Sequence, residues 1–159
     1  WRACEPRYPS SAAWRCCSVP HRGPILSNER SGEMPLESEQ HIVVSRQTVR
    51  SLCQALRFSL VDQTKMVTAA SELSRNTLIH GGGGRMRWEV LDRAGRAGLQ
   101  LIFEDEGPGI ADMRLAMSDG YTTGSGMGLG LPGSKRLVND FEIQSAPGRG
   151  TRVSITKWK

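Results

Sequence analysis

From residue 40 onward the apolar positions fall into two rhythms, and before residue 34 into none. Gln40–Arg46 (QHIVVSR) is a β-branched run and predicts a short strand. Val49, Leu52, Cys53, Leu56 and Leu60 recur at helical spacing and predict a helix over Gln47–Leu60. A second helix is expected from about Val61 to His80, with Asp62 as an acid in its first turn. Met66, Ala69, Ala70, Leu73 and Thr77 would form its buried stripe, and Gly81–Gly84 would end it. Strands are expected at Arg85–Leu91 and Leu99–Glu104 around a turn-like linker, Asp92–Gly98 (DRAGRAG). Asp112–Ser118 reads as a short helix, and Gly120–Gly133 as a flexible loop entering a helix that ends near Asp140. Two closing strands, Phe141–Ser145 and Thr151–Lys157, flank the turn Ala146–Gly150 (APGRG). The order β-α-α-β-β-α-α-β-β implies an α/β two-layer sandwich: a mixed, mostly antiparallel sheet with helices on one face.

Residues 1–33 carry Pro6, Pro9, Pro20 and Pro24, two Trp and three Cys, without helical or strand periodicity. The chain begins at Trp1 and its first methionine is Met34. Residues 1–33 are therefore expected to be a disordered or non-native leader, with 34–159 as the folded domain. The formal charge of +5 is dispersed, and no aromatic-basic stripe points to a nucleic-acid partner. No apolar run approaches the ~18 residues of a membrane span, and no signal peptide is evident, so a cytoplasmic protein is expected. Cys4, Cys16 and Cys17 lie in the leader and no CxxC pair exists, which argues against zinc. Cys53 falls among apolar helix positions and reads as a small buried hydrophobe.

Three segments carry candidate chemistry. Glu72, Asn76 and His80 stand four residues apart and share one helix face. An amide oxygen is a hard ligand suited to Mg²⁺, which keeps waters and borrows substrate phosphates. A carboxylate one turn earlier can orient or deprotonate an attacking hydroxyl. Taken alone, ExxxN is a weak pattern that fits the solvent-facing side of an amphipathic helix better, and His80 fits a helix end. Phe103–Ile110 (FEDEGPGI) follows an apolar strand. There Asp105 can accept from an exocyclic amine such as adenine N6, while Gly107 and Gly109 let a flat ring approach. Gly120–Gly133 (GYTTGSGMGLGLPG) holds six glycines in fourteen residues. At a helix start, that density suits backbone N–H groups closing on phosphate. Gly128, Gly130 and Gly133 spell GxGxxG, but no strand precedes them, and Gly128–Lys135 (GLGLPGSK) has the last letters of a Walker loop exchanged.

In this order, ExxxN on a helix, DxGxG after a strand and GxGxG before a helix resemble the Bergerat-fold (GHKL) ATPases. The likeness spans about residues 38–159. Ala70–Asn76 (ASELSRN), Glu104–Ile110 (EDEGPGI), Asp119–Lys135 and Thr156–Lys159 (TKWK) are similar to the small bacterial anti-sigma serine/threonine kinases of the RsbT type. The resemblance implies an ATP- and Mg²⁺-dependent serine/threonine protein kinase in a sigma-factor partner-switching pathway. Its alternative is a non-catalytic ATP-dependent binding module or anti-sigma factor. It implies Glu72 as the base or orienting carboxylate, Asn76 as the Mg²⁺ ligand and Asp105 on adenine, with Gly107 and Gly109 shaping the pocket. Gly124, Gly126, Gly128 and Gly130 would line the phosphates, and Thr151 would sit near adenine. Lys135 and Arg136 fit phosphate contact or an exposed helix face. The implied partners are an anti-sigma-antagonist-like protein substrate and a phosphatase, and a homodimer is compatible with the fold. Asp119–Gly130 contains no Arg or Lys, so no cation of that segment would meet the transferring phosphoryl group.

Overall fold

The computed structural model describes residues 30–118 and 130–159. Strand β1 (Ser31–Leu36) is followed by α1 (Glu39–Ala55) and α2 (Leu60–Ile79). Then come β2 (Gly84–Arg93), β3 (Arg96–Asp105), α3 (Met113–Ala116), α4 (Gly130–Leu137), β4 (Asp140–Ser145) and β5 (Thr151–Trp158). The strands form one sheet in the order β1-β2-β3-β5-β4, and every pairing is antiparallel. Helices α1 and α2 pack side by side over one face, and α4 packs on α2. This is the expected two-layer sandwich, with a sheet that is antiparallel throughout rather than mixed.

The expected strand at Gln40–Arg46 is instead the first half of α1. Ser38 caps that helix, its hydroxyl accepting from the His41 N–H. A buried stripe of Ile42, Ser45, Thr48, Val49, Leu52 and Cys53 then runs along it, while Val43 and Val44 are left about half exposed. Helical burial outweighs the β-branched preference of those valines. The real first strand, Ser31–Leu36 (SGEMPL), contains two residues that read as breakers, and each has a reason. Pro35 lies on an edge strand. Gly32 pairs with Trp88, whose indole fills the space a side chain at 32 would need. The domain boundary expected after residue 33 thus falls inside β1, and residues 31–33 belong to the sheet.

The Asp92–Gly98 linker is tighter than expected. Both strands extend into it, Arg93 pairs with Arg96, and the turn is Ala94–Gly95, both at positive φ. That is the twist a two-residue hairpin prefers.

The inner face of the sheet alternates as a half-buried sheet should. Met86 and Trp88, Leu99, Leu101 and Phe103, and Val153 and Ile155 point to the helices. They meet Met66, Ala69, Ala70 and Leu73 of α2, and behind these lie Val49, Leu52 and Cys53 of α1. The Ser45 and Ser74 hydroxyls, both fully buried, hydrogen-bond at 3.0 Å and join the two helices. Burial pushes the Cys53 thiol up to about 12, with the Asp62 charge adding to it, so it is an inert core residue as expected. On the outer face Glu104 bridges Arg85 (2.8 Å) and Arg152 (2.6 Å).

The inward position 157 would ordinarily be apolar. Lys157 lies there nearly buried and reaches Asp62 at 3.1 Å. Asp62 also receives the Ser59 hydroxyl at 2.7 Å, while Ser59 caps α2 by accepting from the Asp62 N–H. Ser59 first, then Lys157, holds the Asp62 carboxyl below the usual aspartate range. A lowered folded value means stability that is fully present above the unfolded aspartate pKa of about 3.9 and fades as pH falls through the folded value. Lys157→Met is expected to lower the urea midpoint at pH 7 and to have a smaller effect at pH 3. Midpoints measured across that range check it, and a pH-independent loss would contradict the pairing.

Candidate nucleotide site

One end of the sheet is built around Asp105, the last residue of β3. Asp105 pairs with Gly84 on one side and Thr151 on the other, and Thr151 pairs with Ser145. Residues in register share a face, so these side chains form a row on the helix side of the sheet. The Asp105 Oδ1 atom accepts the N–H of Gly107 and of Thr151, each at 3.1 Å. Its Oδ2 atom has no hydrogen-bond partner among the described residues.

Small residues make room for this arrangement. The end of α2 presses on the carboxyl: a Cβ at Gly81 would stand 2.4 Å from Asp105 Cγ. A Cβ at Gly107 would run into the Gly81 backbone, and one at Gly150 into the Asp105 carbonyl, 2.0 Å away. Gly109 combines positive φ with a Cβ position 2.1 Å from the Ala146 carbonyl. Both it and Gly150 are therefore positions where any other residue brings strain and collision together. Backbone bonds from Gly150 N–H to Gly107 carbonyl (3.0 Å) and from Gly148 N–H to Pro108 carbonyl (2.8 Å) tie the loop to the β4–β5 turn.

Burial pushes the Asp105 carboxyl upward, and the N–H groups of Gly107 and Thr151 and the charge of His80 only partly offset that rise. An aspartate held this way gains from a ligand donor on its free oxygen. A groove of about 1270 Å³ opens here, lined among others by Pro35, Gly81–Gly84, Asp105, Ser145 and Thr151.

The chemistry-bearing face of α2 continues from that end. His80 caps the helix and lies close enough to Asp105 to feel its charge. Asn76, half-buried, sits about 6 Å further back along the axis, and Glu72 about 6 Å beyond that. Neither lines the groove around Asp105. Among the described residues the Asn76 side chain makes no hydrogen bond, so its amide oxygen is available as a single hard ligand. That suits Mg²⁺, which takes few protein groups together with phosphate oxygens. The described residues hold no group of three or more acidic, His or Cys side chains placed to hold a metal ion.

Gly130 opens α4 at positive φ, and α4 rests on α2. Lys135 and Arg136 are exposed on that helix. Gly124, Gly126 and Gly128 lie outside the described residues. Sequence reading did not single out Gly81 or Ser145. Gly81 was visible only as a helix stop, and Ser145 only as the end of a strand. Gly81 meets Asp105, 24 residues on, and Ser145 meets Ile110, 35 residues back, as well as Gly150 and Thr151.

Residues 61–159 match the family model for the histidine kinase-, DNA gyrase B- and HSP90-like ATPases. The chain is 44% identical over 121 residues to the serine/threonine-protein kinase RsbT of Bacillus subtilis, covering 76% of this chain and 91% of that one. It is 27% identical over 131 residues to the anti-sigma F factor of Clostridium novyi, covering 77% and 89%. Its fold is similar to a solved structure of RsbU and RsbW domains from Mycobacterium tuberculosis, with a TM-score of 0.53 and 18% identity. That match covers 81% of this chain, which spans about a third (32%) of the solved one. No helix among the described residues is long and apolar enough to cross a membrane. The chain belongs to the histidine kinase-, DNA gyrase B- and HSP90-like ATPase family, and within it to the RsbT-like serine/threonine kinases.

Proposed function

We propose that this chain transfers phosphate from Mg-ATP to a serine or threonine of a small regulatory protein in a sigma-factor partner-switching pathway. The observation that carries the reading is the layout of α2. Its end abuts Asp105, and Asn76 and then Glu72 follow on the same face at one-turn intervals. A nucleotide with its base at Asp105 would extend its phosphates toward Asn76 and present the last of them near Glu72.

In this reading Asp105 accepts from the adenine amino group through its free oxygen, and Gly107 and Gly109 keep the ring's approach open. Thr151 fixes Asp105 through its backbone N–H. Asn76 would hold Mg²⁺ through its amide oxygen, and the ion, when bound, would neutralise phosphate charge. Gly124, Gly126, Gly128 and Gly130 would direct backbone N–H groups at the phosphates. Glu72 would accept the proton of the attacking hydroxyl or hold that hydroxyl in line.

The substrate is an anti-sigma-antagonist-like protein, and a phosphatase is the second partner. The test is incubation with γ-radiolabelled ATP and such a protein. Acid-stable label on Ser or Thr of the partner is expected. A second reading is favoured by the similarity to anti-sigma F factors: an ATP-dependent binding module that sequesters its partner. An ATP-dependent complex without any label transfer would select it over the kinase.

A further inference from the structure

One hydroxyl near Asp105 has all of its hydrogen-bonding capacity committed. Ser145 Oγ lies 2.8 Å from the Ile110 N–H, 2.9 Å from the Gly150 carbonyl and 2.9 Å from the Thr151 hydroxyl. A hydroxyl has one proton to give and two lone pairs. The Ile110 N–H can only donate, and the Gly150 carbonyl can only accept. The Ser145 proton is therefore directed at Gly150, which leaves the Thr151 hydroxyl as the donor to Ser145. With its own proton so engaged, Thr151 has only lone pairs left for the groove it lines. Asp105 beside it has its Oδ1 atom filled by the N–H groups of Gly107 and Thr151, so its Oδ2 atom also offers only lone pairs.

We propose that Ser145 is a positioning residue that makes this wall of the groove acceptor-only and so sets its preference for a 6-aminopurine over a 6-oxopurine. The inference rests on the nucleotide reading of the site. Ser145 touches no ligand in this scheme and acts through Thr151. It also ties the loop after β3, 35 residues away, to the β4–β5 turn and the start of β5. A 6-amino group brings donors to two acceptors. A 6-oxo group brings an acceptor, and the wall can answer it only if the Thr151 hydroxyl is free to rotate and donate. With Ser145 in place it is not.

The experiment is calorimetric titration of the full chain with ATP and with inosine triphosphate, for wild type, Ser145→Ala, Ser145→Thr and Thr151→Val. Ser145→Ala is expected to weaken ATP about tenfold, as the loss of one or two neutral hydrogen bonds predicts. Inosine triphosphate should hold or tighten, so that the ratio between the two collapses. In steady state, KM for ATP should rise while kcat stays, and Ser145→Thr should restore the wild-type ratio. Thr151→Val, which keeps the β-branched shape, should likewise weaken ATP and spare inosine triphosphate, and it serves if Ser145→Ala does not fold. Equal weakening of both nucleotides, or an unchanged ratio, overturns the role of Ser145 while leaving the site standing. Absence of ATP binding by the wild type overturns the nucleotide reading and this inference with it.

Discussion

Asp105→Asn is expected to weaken ATP binding by about 10²-fold or more while leaving the fold intact, because it loses a charged acceptor and gains an unpaired donor. The two backbone N–H groups of Gly107 and Thr151 demand an oxygen at the Oδ1 position. The new amide nitrogen is thereby turned to where Oδ2 now faces the groove. It then presents donors to the donors of an adenine amino group. Flipping the amide moves the clash onto the two N–H groups instead. Stability should be unaffected, since burial already disfavours the ionised form of this carboxyl and a neutral group of the same shape carries no such penalty. Calorimetry with ATP checks the affinity, and thermal unfolding checks the fold. Unaltered affinity would remove Asp105 from the site.

Glu72→Gln is expected to have the opposite profile: ATP affinity kept, and phosphoryl transfer reduced about 10²- to 10⁴-fold. Glu72 lies about 12 Å along α2 from His80, too far to touch anything Asp105 holds. It is half-buried, and glutamine matches its size, so the helix and its packing should survive. What disappears is the capacity to take a proton. Single-turnover label transfer to the protein partner measures it. A transfer rate like that of the wild type would leave Glu72 as an ordinary polar residue on a helix.

Much of the architecture was legible because burial and periodicity agree. The stripe of α2, the alternation of β2, β3 and β5, and the glycine stop at 81–84 are each written in local pattern. The first strand was not, and the physical cause is specific. Ile42, Val43 and Val44 prefer strand, yet only Ile42 of the three is buried in the helix they form. Gly32 and Pro35 argue against a strand, yet one makes room for the Trp88 indole and the other lies on an edge. Both depend on β2 neighbours fifty or more residues away, Trp88 for Gly32 and Arg85 for Pro35. The site divides in the same way. Asp105 and its glycines could be read from a strand followed by DxGxG. Ser145 could not, because its importance arises from Ile110, Gly150 and Thr151 converging on one oxygen.

That the Asp105 corner is assembled from residues 81, 105–110 and 145–151 has a consequence for how the protein comes into being. A nascent chain emerging from the ribosome carries Asp105 before it carries Thr151, so the proposed grip on a purine cannot form until the final strand has been made and has inserted beside β3. A nucleotide bound there as proposed would then act as a folding ligand, adding about 2.7 kcal/mol to the finished fold at a hundred times its dissociation constant. A chain released without its last strand would gain none of that protection.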